Sequence, residues 1–321
     1  MFIVVFPILV RAELSNIDSE FSGFGARYIG MGESGIALLN SNDAIIHNPS
    51  LLLNNDTDYL LAVENTAQLD LVNHNFVSFA KRKSPSSAWA GAAVYSGDEA
   101  LSEITGYFSY TAIRNSSMGK SSLKMLPKGL SLGFNLKYFG KFLGSNKAGS
   151  YLDENDQDHQ VTGSAHGFGI DLASTYQFRK YHNLAVVIKN SLSAIWWSSE
   201  NEVGTAEGNY QEGKPVSLKL GYGYQKDRFS FVTDYQPAIA SDLDSDLSFG
   251  FEYYLFPDKL ALRSGYKKEL FTGDNEKISF GAGINHKLKR NLYFQLDLAY
   301  QVITSWQGHN NLIIACSISG K

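Results

Sequence analysis

The side chains of this sequence that could do chemistry are scattered, and they do not converge on a reaction. His74, His159, His166 and His182 stand far apart and Cys316 is the one cysteine, so neither a zinc cluster nor an internal disulfide can be assembled. The chain has no Gly-x-Ser-x-Gly elbow, no His-Glu-x-x-His pair and no phosphate loop. Gly23-Phe24-Gly25 matches the opening of a dinucleotide motif, but no strand-then-helix pattern surrounds it. Asp153-Glu154-Asn155-Asp156-Gln157-Asp158 offers carboxylates that a hard cation favours, yet lacks the glycine and closing glutamate of a calcium loop. It reads as a solvated loop, able at most to hold divalent ions that bridge lipopolysaccharide. No enzyme, cofactor or resident metal is expected.

What remains is a set of charges in the middle of apolar stretches: Lys137, Asp171, Lys219, Asp234, Glu252, Arg263 and Asp297. A mid-strand charge is expensive facing hydrocarbon and cheap facing a hydrated lumen, so these residues dictate what must position them. From Tyr59 onward, segments of about ten residues alternate apolar and polar, with turn formers between them. In 128–140 one face carries Leu130, Leu132, Phe134, Leu136 and Tyr138, and the other Ser131, Gly133, Asn135 and Lys137. In 216–225, Val216, Leu218, Leu220, Tyr222 and Tyr224 oppose Ser217, Lys219, Gly221 and Gly223. A soluble sandwich turns its apolar face inward and carries fewer large aromatics on it. The expected fold is therefore all-β: a transmembrane antiparallel β-barrel of about 14 strands over 59–321, apolar outside and polar inside.

The expected strands are 59–66, 73–81, 86–95, 104–114, 128–140, 166–179, 183–191, 214–226, 228–236, 246–256, 259–268, 277–287, 290–301 and 309–319. With both chain ends on the periplasmic side, every second connection should be short. The turns at 180–182, 227, 257–258 and 287–290 are tight, whereas 141–165, 192–213, 237–245, 269–276 and 302–308 are longer. The stretch 115–127 breaks the rule by being long where a short turn belongs. Trp196 and Trp197 fall in the 192–213 connection, an outer loop by this reading. They suit the interfacial aromatic belt, or, in a sharper reading, a landing site for an amphipathic ligand or lipid-modified partner.

Composition agrees. Lys and Arg number 28 against 32 Asp and Glu, a net charge of -4, so no basic surplus exists to neutralise nucleic-acid phosphates. The 18 Tyr, 20 Phe and 29 Gly against 7 Pro favour extended structure. No segment approaches the roughly 20 apolar residues of a spanning helix. The apolar run 2–10, followed by small residues at Val10 and Ala12, predicts a secretory signal over 1–12.

Residues 13–58 behave differently. The stretch 21–35 is glycine-dense, Ile36–Leu39 could make one helical turn, and Asp43 could cap a short helix that Pro49 ends. Arg27, Gly30-Met31-Gly32, Ala37, Ala44 and Asn48-Pro49-Ser50, in this order and spacing, resemble the N-terminal hatch of FadL-like long-chain fatty acid transporters. They are similar above all to the PorV/PorQ (UPF0164-like) branch. The motif covers about one tenth of the chain. The resemblance implies a hatch that fills the lumen, a tight turn at Asn48 and Pro49, and pairing of Arg27 to lumenal acids. One departure stands out: members usually end on an aromatic residue, whereas this chain ends Ser319-Gly320-Lys321.

Two functions follow as expectations, both in the outer membrane of a Gram-negative-type (diderm) bacterium, with membrane lipid as a partner. The first is passage of a hydrophobic molecule such as a long-chain fatty acid, with Phe24, Met31 and Ile36 of the hatch meeting it. The second is a PorV/PorQ-like role in protein secretion, with a secreted protein as partner. The polar, glycine-rich inward faces weigh against fatty acid, and a purely structural barrel is a third possibility.

Overall fold

The computed structural model describes residues 23–38, 43–52, 57–68, 72–97, 101–113, 127–143, 161–201, 207–239, 244–257, 259–270, 276–289, 291–304 and 310–320. The expected signal over 1–12, the acidic stretch 153–158 and most of the long connection 115–127 lie outside the described residues.

Alternating residues give strands, and the strands close on themselves. They are β1 (Tyr59–Gln68), β2 (Val72–Ser84), β3 (Ser87–Gly97), β4 (Leu101–Ile113), β5 (Leu130–Leu143), β6 (Val161–Arg179) and β7 (His182–Asn201). There follow β8 (Glu207–Glu212), β9 (Ser217–Lys226), β10 (Phe229–Gln236), β11 (Asp246–Phe256), β12 (Leu260–Glu269), β13 (Glu276–Lys289), β14 (Leu292–Ile303) and β15 (Asn310–Gly320). Each pairs antiparallel with its sequence neighbour, and β1 pairs with β15 in the register Tyr59↔Gly320, which completes the ring. β8 and β9 share one position, both facing β7, so the fifteen strands make a barrel of fourteen. All fourteen expected strands are present. The expected tight turns at 180–182, 227, 257–258 and 287–290 lie at the rim where the chain enters at Tyr59 and leaves at Gly320, here called the near rim. β4 ends and β5 begins at that rim too, sixteen residues apart, so the expected exception to the short-turn rule stands.

The pleat sorts the side chains as alternation requires. Val63, Phe280 and Ile284 on the outer face are 53 %, 55 % and 51 % exposed. In water each would forgo about 1.5–3 kcal/mol of burial, so hydrocarbon is the solvent this face suits. On the opposite face Asn135, Ser248 and Ser279 are fully buried.

They are buried because the lumen is full. Residues 23–38 and 43–52 supply its apolar core, with Phe24, Ile45 and Ile46 packing on Phe76 and Tyr107, and Ala26 and Ile29 on Ala299 and Ile313. The glycine-dense stretch forms a helix, α1 (Ala26–Gly30), and Asp43 precedes a second, α2 (Ala44–His47), without a side-chain capping bond. Ile36–Leu38 make a turn.

The structure corrects the placement of Trp196 and Trp197. They lie in β7, not in a loop, because β6 and β7 run on beyond the rest of the wall at the far rim and β8 returns against β7. At about 3.3 Å per residue and a tilt near 40°, strands of 19 and 20 residues climb roughly 50 Å, about twice the usual apolar band.

Candidate functional site

The site is the contact surface between residues 23–52 and the inner wall. Two kinds of residue build it, glycines that let backbones touch and charges that meet across the gap. Gly32 has φ of 73°, and a Cβ there would stand 2.4 Å from the amide nitrogen of Tyr266, so only glycine fits. Gly30 lies against Gly281, where a Cβ would meet the opposing Cα at 3.1 Å, and Gly265 packs on the Met31–Gly32 peptide.

Through this close approach Arg27 reaches β11, next to the strand on which Gly32 packs. Its Nη2 and Nε donate to the two oxygens of Glu252 at 2.7 and 2.9 Å. Arg263, opposite Glu252 in the β11–β12 ladder, donates to the same carboxylate at 2.7 Å and to Asp297 at 2.6 Å. Two arginines and two acids thus alternate in a buried chain. Burial by itself would weaken the Arg27 charge, but Glu252 more than reverses this and holds the guanidinium firmly protonated. Nearby, Glu33 accepts from Lys267 at 2.9 Å and from Lys277 at 2.8 Å. Burial pushes its carboxyl upward, yet the two lysines prevail and hold it well below the usual carboxylate range.

The other half of the segment is held by neutral bonds. Asn48 Nδ2 donates to Ile36 O at 2.6 Å and to Thr175 Oγ1 at 2.9 Å, while its Oδ1 accepts from the Ser50 amide at 3.0 Å. This is the tight turn at Asn48 and Pro49 that the family resemblance implies, a 3-10 turn over Pro49–Leu51. Thr111 donates to the Pro49 carbonyl, and Asn135 donates to Ile45 O at 2.8 Å and to Asp171 at 3.0 Å.

The seven expected lumenal charges all face inward. Lys137 pairs with Asp171 at 2.6 Å, Asp234 accepts from the amides of Gly35 and Ile36 at 2.8 and 3.1 Å, and Lys219 donates to Tyr28 Oη at 2.9 Å. Of the three apolar residues expected to meet a ligand, Ile36 lines a cavity beside Tyr28. Phe24 and Met31 are packed away, the latter against Leu38 and Val232. That cavity, of about 80 Å³, is lined by Tyr28, Ile36 and His47 together with Val187, Lys219 and Asp246. His47 stacks on Tyr28 at 3.8 Å, and its ring nitrogen Nε2 meets Phe24 O at 2.6 Å. Burial first, and Lys189 next, push its pKa well below the ordinary histidine value.

Sequence reasoning missed Glu33, Lys267, Lys277 and Asn190. The lysines carried a signal, since both fall at inward positions of β12 and β13. Asn190 carried none. It sits at φ 53° where three residues of β7 oppose Asp171 alone. Past this bulge the wall is interrupted. The β7–β9 ladder ends at Lys189↔Ser217, and the β7–β8 ladder resumes only at Ile195↔Glu212. Between them the wall is bridged by Asn190 Nδ2 donating to Pro215 O at 3.3 Å and by Ser193 Oγ, bonded to the Lys214 amide and carbonyl at 2.9 and 3.1 Å. Trp196 faces outward beside Phe168, while Trp197 stacks on Tyr210 and donates to Glu212 at 2.8 Å.

No protein-family model matches the sequence, and no curated protein matches it. Solved structures match in fold. The chain is similar to CymD, a monoaromatic hydrocarbon channel, at a TM-score of 0.63 and 14 % identity over 93 % of this chain and 97 % of that one. It is similar to the toluene transporter TodX of Pseudomonas putida at 0.59 and 14 %, over 93 % and 98 %. A FadL homologue of Pseudomonas aeruginosa matches at 0.58 and 12 %, over 92 % and 98 %. At such identities the likeness is one of architecture, and the chain is a fourteen-stranded antiparallel barrel with the fold of the FadL-type channels.

Proposed function

We propose that the protein carries a small hydrophobic molecule across the outer membrane of a diderm bacterium, with residues 23–52 as its hatch and the near rim in the periplasm. The observation that carries this reading is the interrupted ladder between β7 and its neighbours β8 and β9. A hydrophobic molecule that enters at the far rim meets a filled, polar lumen, where desolvating unpaired polar groups is costly. Sideways it meets bilayer. Asn190 lies eight residues from the near end of β7, about 20 Å up the wall, so the interruption opens towards the outer leaflet. Long-chain fatty acids and monoaromatic hydrocarbons are the two substrate classes to compare.

The test is calorimetry on the full chain folded in non-ionic detergent, with oleate and toluene as titrants and Gly32→Trp beside the parent. Saturable binding that Gly32→Trp alters supports a hatch-gated transporter. Absence of binding by both titrants overturns it and favours the second reading, a PorV/PorQ-like interaction barrel. That alternative draws on the β6–β7–β8 extension, which presents Tyr210 and Trp196 about half exposed at the far rim.

A further inference from the structure

One sector of the near rim gathers exposed cations beside a belt of rings. The turn from β6 to β7 presents Arg179 and Lys180, and the turn from β9 to β10 presents Lys226 and Arg228, against one acid, Asp227. β7 pairs with both β6 and β9, so the two turns are neighbours around the rim. All four cations are exposed, and among the described residues none of them forms an ion pair.

The group is nonetheless ordered. The ammoniums of Lys180 and Lys226, from different turns, both lie over Tyr181, 5.1 and 5.8 Å from its ring centroid. Just inside them, His182 Nδ1 lies 2.9 Å from Tyr222 Oη, and the His182 ring packs against Phe178 and Tyr224 at 5.7 and 5.0 Å. Farther up the same outer face Leu184, Val186 and Leu220 are exposed. Cations, then rings, then aliphatic side chains is the order of headgroup, interface and hydrocarbon across one leaflet.

We propose that this sector binds an anionic glycerophospholipid, whose phosphate meets Lys180 and Lys226 and whose acyl chains lie along Leu184, Val186 and Leu220. The inference rests on the barrel spanning a bilayer and not on what passes through it. Charge and shape select the occupant. Two ammoniums over one ring repel each other, and an anion between them relieves that repulsion while both keep the ring. A zwitterionic headgroup brings an ammonium of its own to four cations and gains less. A soluble phosphate meets the cations alone, whereas a lipid adds the aliphatic contacts beneath them.

The experiment is native mass spectrometry of the full chain in non-ionic detergent, with phosphatidylglycerol and phosphatidylcholine of matched chains supplied together. Phosphatidylglycerol should be retained about tenfold more strongly. Lys180→Gln/Lys226→Gln should lower its retention about 25-fold, at about fivefold per charge. Lys287→Gln/Lys289→Gln, on β13 at the same rim, removes equal charge elsewhere and should change retention less than about twofold. Heat-modified gel migration checks the folding of each variant. Equal retention of the two lipids overturns the proposal, and so does equal loss in the two double variants, which would mean a diffuse basic rim. Glycerol 3-phosphate that competes as well as the intact lipid would make this a phosphate site and overturn the lipid reading. Oleate or toluene binding, measured on the same samples, reports separately on the transport reading.

Discussion

Arg27 and Glu252, 225 residues apart in the chain, meet in a two-point ion pair that fixes α1 to the inner wall. Both are almost wholly buried, and Glu252 accepts from Arg263 at the same time. Removing one partner of such a pair leaves an uncompensated charge, which costs about 3–5 kcal/mol.

Glu252→Leu should therefore release the hatch while leaving the barrel closed, because the ladder bonds of Glu252 to β10 and β12 run through its backbone, which the substitution keeps. Limited proteolysis of the folded protein checks this, with cleavage expected within 23–52 and the barrel resistant. The double variant Arg27→Met/Glu252→Leu should be milder than Glu252→Leu alone, since it also removes a stranded charge.

Acid should loosen the hatch in two stages. His47 is neutral when docked and takes a proton once freed, so below its ordinary value of 6.5 the undocked state binds more protons. Docking then weakens by about 1.4 kcal/mol per pH unit as pH falls. Glu33 acts in the same direction but later. Its docked carboxyl is held below the ordinary 4.5, so its contribution is complete above that value and lost as pH falls through the docked one. Hydrogen exchange at α1 and α2 between pH 7.5 and 5 should show the first stage, and His47→Gln should flatten it.

The glycines should separate cleanly by what they touch. Gly32→Ala places a Cβ 2.4 Å from backbone in a left-handed conformation, and should undock α1 at a cost above about 2 kcal/mol. Gly106→Ala meets nothing nearer than 3.9 Å and should be nearly silent in the same proteolysis assay.

The interrupted ladder should close on demand. With Cys316→Ser as background, Ser193→Cys/Lys214→Cys places a disulfide where, among the described residues, side-chain bonds bridge β7 and the segment before β9. Oxidation should abolish uptake of the hydrophobic substrate into proteoliposomes, and reduction should restore it. Equal uptake in both states would remove the wall from the route.

Much of this was legible in the residues. The alternation from Tyr59 onward specifies fourteen strands, and Glu252 and Arg263 announce a lumen because a charge cannot sit in mid-strand facing lipid. Legibility fails where the period fails. Lys189-Asn190-Ser191 reads as a strand end because three residues there oppose Asp171 alone, and that bulge hides the far half of β7 with Trp196 and Trp197. The partners of Arg27 are hidden for another reason. Local pattern says which face a residue takes, but not which of several inward acids a segment 225 residues away will find.

The touching glycines constrain how such a sequence can drift. Gly30 against Gly281, and Gly32 against Gly265, are contacts in which neither side has an atom to give up. Elsewhere in a protein a larger residue can be accommodated by shrinking its neighbour. Here no neighbour can shrink further, so these columns cannot exchange bulk with one another, and each must stay glycine independently for the lumen to remain filled.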